Sequence, residues 1–306
     1  MSLLDKRLVF VTGKGGVGKT TACASIARLA AARGKRVLVC EIDAESSIGR
    51  LFGDKRVGYE PSRMDQGIWA CNLTGRECME TFVRGFVPSR RVADLIMKNR
   101  VANVFFESAP SVMEAVILDR LAQLAAQTGP PWDMVIADLP ASGHAVTLLN
   151  VPRAMTEMVQ VGELARRMST LAALLGDPTR SELVLVSLPE EMSVNETVEL
   201  YERARAEVAT PLRVVILNGE RTPDLLDSDY ALVAREAVAA GAAGDALQRV
   251  ANGVALGVYW RDEDQRNIAR LEESVAARVV RVPFVFRKVD ESDLVGRVSD
   301  ALSGVL

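Results

Sequence analysis

A glycine-rich segment, GKGGVGKTT at residues 13–21, joins two stretches of different character. Before it, residues 7–12 (RLVFVT) are apolar and β-branched, which predicts a short buried strand. After it, residues 20–32 predict a helix that ends near Gly34. A glycine-rich turn between a buried strand and a helix places backbone N–H groups and a helix N-terminus where they bind phosphate. This segment therefore restricts the chain to an α/β fold with a phosphate site at one sheet edge.

The same segment satisfies the pattern G-x-x-x-x-G-K-[ST] with Gly13, Gly18, Lys19 and Thr20. A lysine at this position reaches the β- and γ-phosphates of a nucleotide, and the following hydroxyl binds Mg²⁺. The alternative is a glycine-rich turn that matches by chance. The predicted nucleotide-binding residues of the loop are Gly15, Gly16, Val17, Gly18, Lys19, Thr20 and Thr21.

The rest of the chain repeats the strand–helix rhythm. Residues 36–42 form a second apolar run, so that the first 42 residues predict a βαβ unit and a parallel sheet. We predict an α/β fold: a mostly parallel sheet with helices on both faces, in one domain over residues 1–306. Residues 76–127 contain no strand pattern and predict either a helical subdomain or part of the layer that covers the sheet. Further strands are predicted at residues 68–73 (weaker), 133–139, 182–188, 212–217 and 278–282.

Composition excludes several classes of protein. The net charge of −3 gives no basic field for nucleic acid. No apolar run has the roughly 18 residues of a membrane span, and no signal peptide is visible, so we expect a cytoplasmic protein. The C-terminal segment is poor in cations, which argues against stable membrane insertion. None of the four cysteines forms a CxxC pair, and Cys23 and Cys40 lie in apolar stretches expected in the core.

Lys14 is a second lysine in the loop. From the residues alone it is either a solvated surface side chain or a lysine that reaches a partner's nucleotide. The stretch KGGVGKTT resembles the deviant Walker A motif, whose extra lysine marks one class of phosphate-loop ATPases. The resemblance implies a dimer with ATP between the subunits, in which Lys14 of each subunit contacts the other's phosphates. It also implies that Lys14 and Lys19 are catalytic.

Residues 138–152 (DLPASGHAVTLLNVP) resemble a segment of the arsenite-pump and tail-anchored-protein-targeting ATPase family, in the branch of bacterial anion-transporting-ATPase-like proteins. An acid that ends a buried strand beside a phosphate loop supports Mg²⁺ from behind its direct ligands. Asp138 is therefore a predicted metal-site residue, and the turn after it a nucleotide-sensing switch. The positions that match in register are Asp138, Gly143, His144, Leu149 and Pro152.

Three further stretches resemble the same family. An E-T pair, here Glu196 and Thr197, opens a helix after the 182–188 strand. Asn218, at the end of a late strand, matches the adenine-contacting asparagine, and an amide can both donate to and accept from adenine. Pro283 and Phe284 resemble the loop on the other side of the adenine pocket.

The family has a first nucleotide-sensing segment, the first switch, that comes earlier in the chain, and here its sequence departs from the family pattern. The stretch EIDAESSIGRLFG keeps the acid Asp43 of the usual D-P-A-H but not its proline or histidine. The resemblance implies that Asp43 orients the attacking water and supports Mg²⁺. The departure implies that the subunit alone is a slow ATPase that a paralogous subunit completes.

The implied function is a dimeric, ATP-hydrolysing switch that uses ATP and Mg²⁺, with a second copy or a paralogue as its partner. Two alternatives stay open. One is a targeting factor or chaperone in which helices with Met79, Met97 and Met113 form a groove for a membrane-protein client. The other is a regulatory scaffold that binds nucleotide tightly and barely turns over.

Overall fold

The computed structural model describes most of the chain. The described residues are 2–42, 47–87, 89–99, 111–126, 132–141, 143–158, 161–221, 235–236, 238–239, 241, 244–285 and 290–306.

The described residues form eight strands and α-helices of very different length. The strands are β1 (Leu8–Gly13), β2 (Val37–Ile42), β3 (Ser62–Asp65), β4 (Ile68–Leu73), β5 (Met134–Asp138), β6 (Ser181–Ser187), β7 (Leu212–Glu220) and β8 (Arg278–Pro283). The helices are α1 (Lys19–Ala32), α2 (Ile48–Leu51), α3 (Gly75–Phe86), α4 (Arg90–Lys98), α5 (Val112–Ala125), α6 (Gly143–Met158), α7 (Glu163–Gly176), α8 (Glu191–Glu207), α9 (Asp245–Ser274) and α10 (Glu291–Ser303).

All eight strands belong to one sheet, in the order β3-β4-β2-β5-β1-β6-β7-β8. Every described pair is parallel except β3 with β4, which is antiparallel. The central strand β1 pairs with β5 and β6, so that Val11 lies opposite Asp138 and Gly13 opposite Val186. Because parallel strands end at the same edge of the sheet, the glycine-rich loop after β1 and Asp138 at the end of β5 meet there. The predicted fold class is confirmed.

Helices cover both faces of the sheet. Leu8 and Phe10 of β1 point into a core shared with α3, α5, α6, α7 and α8. Val9 and Val11 point into a second core shared with α1, α2 and α10. This alternation within a strand buried on both faces accounts for its continuous apolar sequence. All four cysteines are buried, including Cys23 and Cys40, which were expected in the core.

The region of residues 76–127 divides into a packed part and an exposed part. Helices α3 and α5 pack on each other and on the sheet through buried residues such as Met79 and Leu118. Helix α4 buries Ala93, whereas Val92 and Leu95 are 46% and 69% exposed. Met97, which was considered for a client groove, and Phe82 pack against the core, while the aromatic residues Phe105 and Phe106 lie outside the described residues. The organisation as a single domain over residues 1–306 stays a prediction.

Across the described parts of the chain, no helix combines the length and the apolar character that crossing a membrane requires.

Candidate active site

The glycine-rich loop follows β1 and leads directly into α1. Gly18 adopts the left-handed conformation (φ 92°) at the N-cap of α1, and a Cβ at this position would lie 2.5 Å from Asn218 Nδ2. At Gly13 (φ 153°), a Cβ would lie 2.2 Å from the carbonyl oxygen of Val186. Glycine is therefore required at both positions, by backbone conformation at Gly18 and by close packing against the neighbouring strand at Gly13. The result is a loop whose last residue turns the N-terminus of α1 towards a cleft.

The cleft beside the loop has a volume of about 280 Å³. Lys19 lies in it, and its Nζ donates to the carbonyl oxygen of Lys14 at 3.1 Å. The cleft is lined by Gly16, Gly18, Lys19, Thr20, Thr21, Ser47, Arg50, Leu51 and Glu291. The five loop residues in this list, Gly16 and Gly18 to Thr21, are all among those that the sequence predicts for nucleotide binding. Ser47, Arg50, Leu51 and Glu291 are not, because they come from α2 and α10 and only the tertiary fold brings them to the loop.

Thr20 and Asp138 lie in direct contact. The Thr20 hydroxyl donates to Asp138 Oδ2 at 2.6 Å. Burial raises the pKa of the Asp138 carboxyl to about 6, and the negative charge of Glu41 adds to this, while Thr20 and Lys19 act in the opposite direction. Asp138 Oδ1 is buried without a hydrogen-bond partner. A buried carboxylate with one unsatisfied oxygen is stabilised by a nearby positive charge or by water bound to a cation.

Glu41 and Ser47 form a second hydroxyl–carboxylate pair beside the first. Glu41, 1% exposed at the end of β2, lies opposite Asp138 in the sheet register. Its Oε1 accepts hydrogen bonds from Ser47 N at 2.8 Å, Ile48 N at 3.0 Å and Ser47 Oγ at 3.0 Å. Ser47 Oγ also lies 3.3 Å from Thr20 Oγ1. Glu41 thus holds the start of α2 against the loop, a contact that no local sequence motif indicated.

Lys14 binds a carboxylate of its own chain. Its Nζ lies 2.7 Å from Glu196 Oε1 on α8, and the two side chains are 34% and 38% exposed. Lys14 is absent from the residues that line the cleft within the described structure. The two lysines of the loop therefore have different surroundings, with Lys19 at the cleft and Lys14 on the face formed by α8.

The predicted adenine-binding residues lie at neighbouring strand ends. Asn218 Nδ2 donates to the carbonyl oxygen of Val17 in the loop at 2.9 Å. Pro283 ends β8 beside Glu220 of β7, and Phe284 N donates to the carbonyl oxygen of Glu220 at 2.8 Å. The Phe284 side chain is 49% exposed. These residues extend the site along the sheet edge, away from Thr20 and Asp138.

For two residues that the sequence singled out, the structure gives no contact that defines this site. Asp43 lies outside the described residues, as do the next three positions of the first switch. His144, in the first turn of α6, is exposed. The roles proposed for Asp43 and for the turn before α6 stay predictions.

A phosphate-binding loop between β1 and α1, at the carboxyl edge of a mostly parallel sheet, defines the class of phosphate-loop nucleoside triphosphatases. The family model for anion-transporting ATPases matches residues 6–174, more than half of the chain. The chain belongs to this family and is an ATPase of the phosphate-loop class.

Individual relatives agree with this assignment at low identity. ATPase BagA of Mycobacterium tuberculosis is 26% identical over 243 residues, which cover 74% of this chain and 69% of that protein. The arsenical pump-driving ATPase of Escherichia coli is 26% identical over 235 residues, covering 69% of this chain and 39% of the pump ATPase. The chain thus spans about two fifths of the pump ATPase's length.

Proposed function

We propose that this chain is a dimeric molecular switch that hydrolyses ATP held between two subunits. The observation that carries the proposal is the separation of the two loop lysines. Lys19 lines the cleft of its own chain, whereas Lys14 binds Glu196 on an accessible face. A lysine on the phosphate loop but outside its own cleft supports this proposal, because its ammonium group would be available to a nucleotide on a facing subunit. There it would neutralise charge that develops during phosphoryl transfer, as an arginine finger does.

Within one subunit, the loop and α1 would bind the phosphates. Backbone N–H groups from Gly15 to Thr21 and the N-terminus of α1 supply the donors. Lys19 Nζ would exchange its hydrogen bond to the Lys14 carbonyl oxygen for the β- and γ-phosphates. The protein would form no covalent intermediate, because catalysis of phosphoryl transfer depends on positioning and on charge neutralisation.

The residues beside the loop fit a Mg²⁺ ion. The Thr20 hydroxyl would be a direct ligand, and Asp138 would act behind it through the hydrogen bond of 2.6 Å and its unsatisfied Oδ1. When bound, Mg²⁺ would supply positive charge that offsets the charge of the phosphates during transfer. We propose that Asp43 orients the attacking water and supports the same ion.

Asn218 would bind adenine through its amide oxygen, because its amide nitrogen is already engaged. Its Nδ2 donates to the Val17 carbonyl oxygen, an acceptor that requires the amide nitrogen at this position. Oδ1 remains to accept a hydrogen bond from the exocyclic amine of adenine. Guanine carries a carbonyl at that position and would face Oδ1 with a second acceptor. Pro283 and Phe284 would cover the opposite side of the base.

The partner is a second copy of this chain or a paralogous subunit. The test uses the Asp43→Asn variant, which should bind Mg-ATP without hydrolysing it and accumulate as a closed dimer. Light scattering with ATP and with ADP measures its mass, and wild-type protein with ADP is the reference. A monomer in ATP at micromolar protein would argue against ATP held between subunits. Turnover of the wild-type chain alone and mixed with a paralogue then shows whether the partner must be a different subunit.

A second candidate function is targeting of hydrophobic membrane-protein segments. It is favoured by one observation, the exposure of Val92 and Leu95 on neighbouring turns of α4. Exposed apolar pairs on one helix face are suited to an apolar segment of a partner. The test measures binding of a fluorescent, transmembrane-type peptide to the wild type and to Leu95→Asp in the presence of ATP. Equal affinity in both proteins would remove this candidate.

A further inference from the structure

Two hydroxyl groups face each other beside the phosphate loop, and each has a carboxylate behind it. Thr20 Oγ1 and Ser47 Oγ are 3.3 Å apart, and both residues line the cleft. Asp138 Oδ2 lies 2.6 Å from Thr20 Oγ1, and Glu41 Oε1 lies 3.0 Å from Ser47 Oγ. The two carboxylate residues lie opposite each other on paired strands, Glu41 on β2 and Asp138 on β5.

The protons of these groups can be assigned from their number. A hydroxyl carries one proton and two lone pairs. Thr20 donates its proton to Asp138 at the short distance of 2.6 Å, which leaves its oxygen an acceptor only. The Ser47 hydroxyl has two possible acceptors for its proton, Glu41 Oε1 at 3.0 Å and Thr20 Oγ1 at 3.3 Å. It donates to Glu41, because the nearer and charged acceptor forms the stronger hydrogen bond. Both hydroxyl oxygens then present lone pairs to each other and to the cleft.

Two neighbouring oxygen acceptors of this kind favour a hard cation. Adjacent oxygen ligands on an octahedral Mg²⁺ ion lie roughly 3 Å apart, since each is about 2.1 Å from the metal. The observed separation of 3.3 Å between the hydroxyl oxygens is close to this value. The buried carboxylates increase the electron density on the hydroxyls that donate to them and orient them.

We propose that Ser47 is a metal-binding residue of the nucleotide site. Its hydroxyl and that of Thr20 supply two adjacent ligands for the divalent cation, with Glu41 behind Ser47 as Asp138 is behind Thr20. The proposal rests on the proposed function, because the cation arrives with the nucleotide. It extends that function, since Ser47 directly follows the first switch and would join the start of α2 to the metal.

The test measures divalent cation binding rather than turnover. Mn²⁺ replaces Mg²⁺, and electron paramagnetic resonance counts free Mn²⁺ in the presence of adenylyl imidodiphosphate. Ser47→Ala should lower the apparent Mn²⁺ affinity about tenfold or more, whereas Ser47→Thr, which keeps the hydroxyl, should stay close to the wild type. Ser303→Ala, a hydroxyl removed at the far end of α10, is the matched control and should change nothing. Affinity for the nucleotide without metal should be equal in all four proteins.

Wild-type Mn²⁺ affinity in Ser47→Ala would overturn the inference. Absence of nucleotide-dependent Mn²⁺ binding in the wild type would instead contradict the proposed function itself. Failure of the Ser47 inference and failure of the proposed function therefore give different results. Ser47→Cys settles the case in which Ser47→Ala also disturbs the start of α2. A thiolate that ligates the metal directly should raise the preference for Cd²⁺ over Mg²⁺, and an unchanged preference overturns the proposal.

Discussion

Lys14 Nζ lies 2.7 Å from Glu196 Oε1, so that the second lysine of the phosphate loop is neutralised by a carboxylate of its own chain. Both side chains are about one third exposed (34% and 38%). A pair in this environment contributes about 1 kcal/mol or less. The phosphates of a nucleotide offer several negative charges and stronger, charge-assisted hydrogen bonds. Under the proposed function, Lys14 would leave Glu196 for a partner's nucleotide at small cost, and Glu196 would act as a weak brake on that exchange.

Glu196→Gln should release this brake. Without the Glu196 carboxylate, Lys14 would be free to reach the partner's site. We therefore expect the protein concentration at half-maximal ATP turnover to fall up to about fivefold. The measurement is steady-state ATPase activity over a range of protein concentrations. Glu199→Gln, on the same helix and exposed, is the matched control and should behave as the wild type. A large loss of turnover in Glu196→Gln would instead show that Glu196 contributes to the active site itself.

Asn218→Ala should weaken the preference for ATP over GTP. The substitution removes the amide oxygen that would accept from the adenine amine and the donor that binds the Val17 carbonyl oxygen. We expect the ATP-to-GTP affinity ratio to fall about tenfold, the equivalent of one well-formed hydrogen bond. Competition binding with a fluorescent ATP analogue gives both affinities, and Asn150→Ala on α6 is the control. An unchanged ratio would remove Asn218 from base recognition.

Asp138→Asn should stabilise the nucleotide-free protein while weakening its metal site. Burial raises the pKa of the Asp138 carboxyl from 3.8 to about 6, so ionised Asp138 disfavours folding above that pH. In this pH range the folded state binds more protons than the unfolded state, so the free energy of unfolding of the wild type falls as pH rises from about 4 to about 6. The asparagine variant should lack this fall and be more stable at pH 7, by on the order of 1–3 kcal/mol.

Urea unfolding at several pH values, with a chelator present, measures this difference. The same variant should lose about tenfold or more in Mg²⁺ affinity when nucleotide is bound. Parallel pH profiles for the two proteins would show that Asp138 is not strained by burial in the nucleotide-free state.

The sequence predicted strands best where they are buried on both faces. Residues 182–188 were predicted and Ser181–Ser187 are found, because a continuous apolar run suits a parallel strand between two helical layers. The edge strand Ser62–Asp65 was not predicted. Its sequence, SRMD, buries one side chain, Met64, and its conformation depends on antiparallel pairing with β4 rather than on its own pattern.

The site shows the same division. Thr20 belongs to a local motif and Asp138 ends a recognisable strand, so the sequence predicted that both lie at the glycine-rich loop, where they are in contact. Glu41 binds Ser47 and lies beside Asp138 because β2 is paired with β5, a register that no local pattern specifies. The pairing of Lys14 with Glu196 likewise joins residues 182 positions apart. Sequence reasoning identified the lysine, and only the fold reveals its partner.

Complementation between two inactive variants tests the shared site most directly. Lys14→Ala keeps its own cleft but lacks the donated lysine, and Lys19→Ala lacks nucleotide binding but still carries Lys14. Each alone should show almost no ATP turnover. An equimolar mixture should recover up to about a quarter of the wild-type rate, because half of the dimers are mixed and each of these contains one complete site. If the mixture stays as inactive as its parts at every ratio, with both variants folded, the account of ATP held between subunits is contradicted.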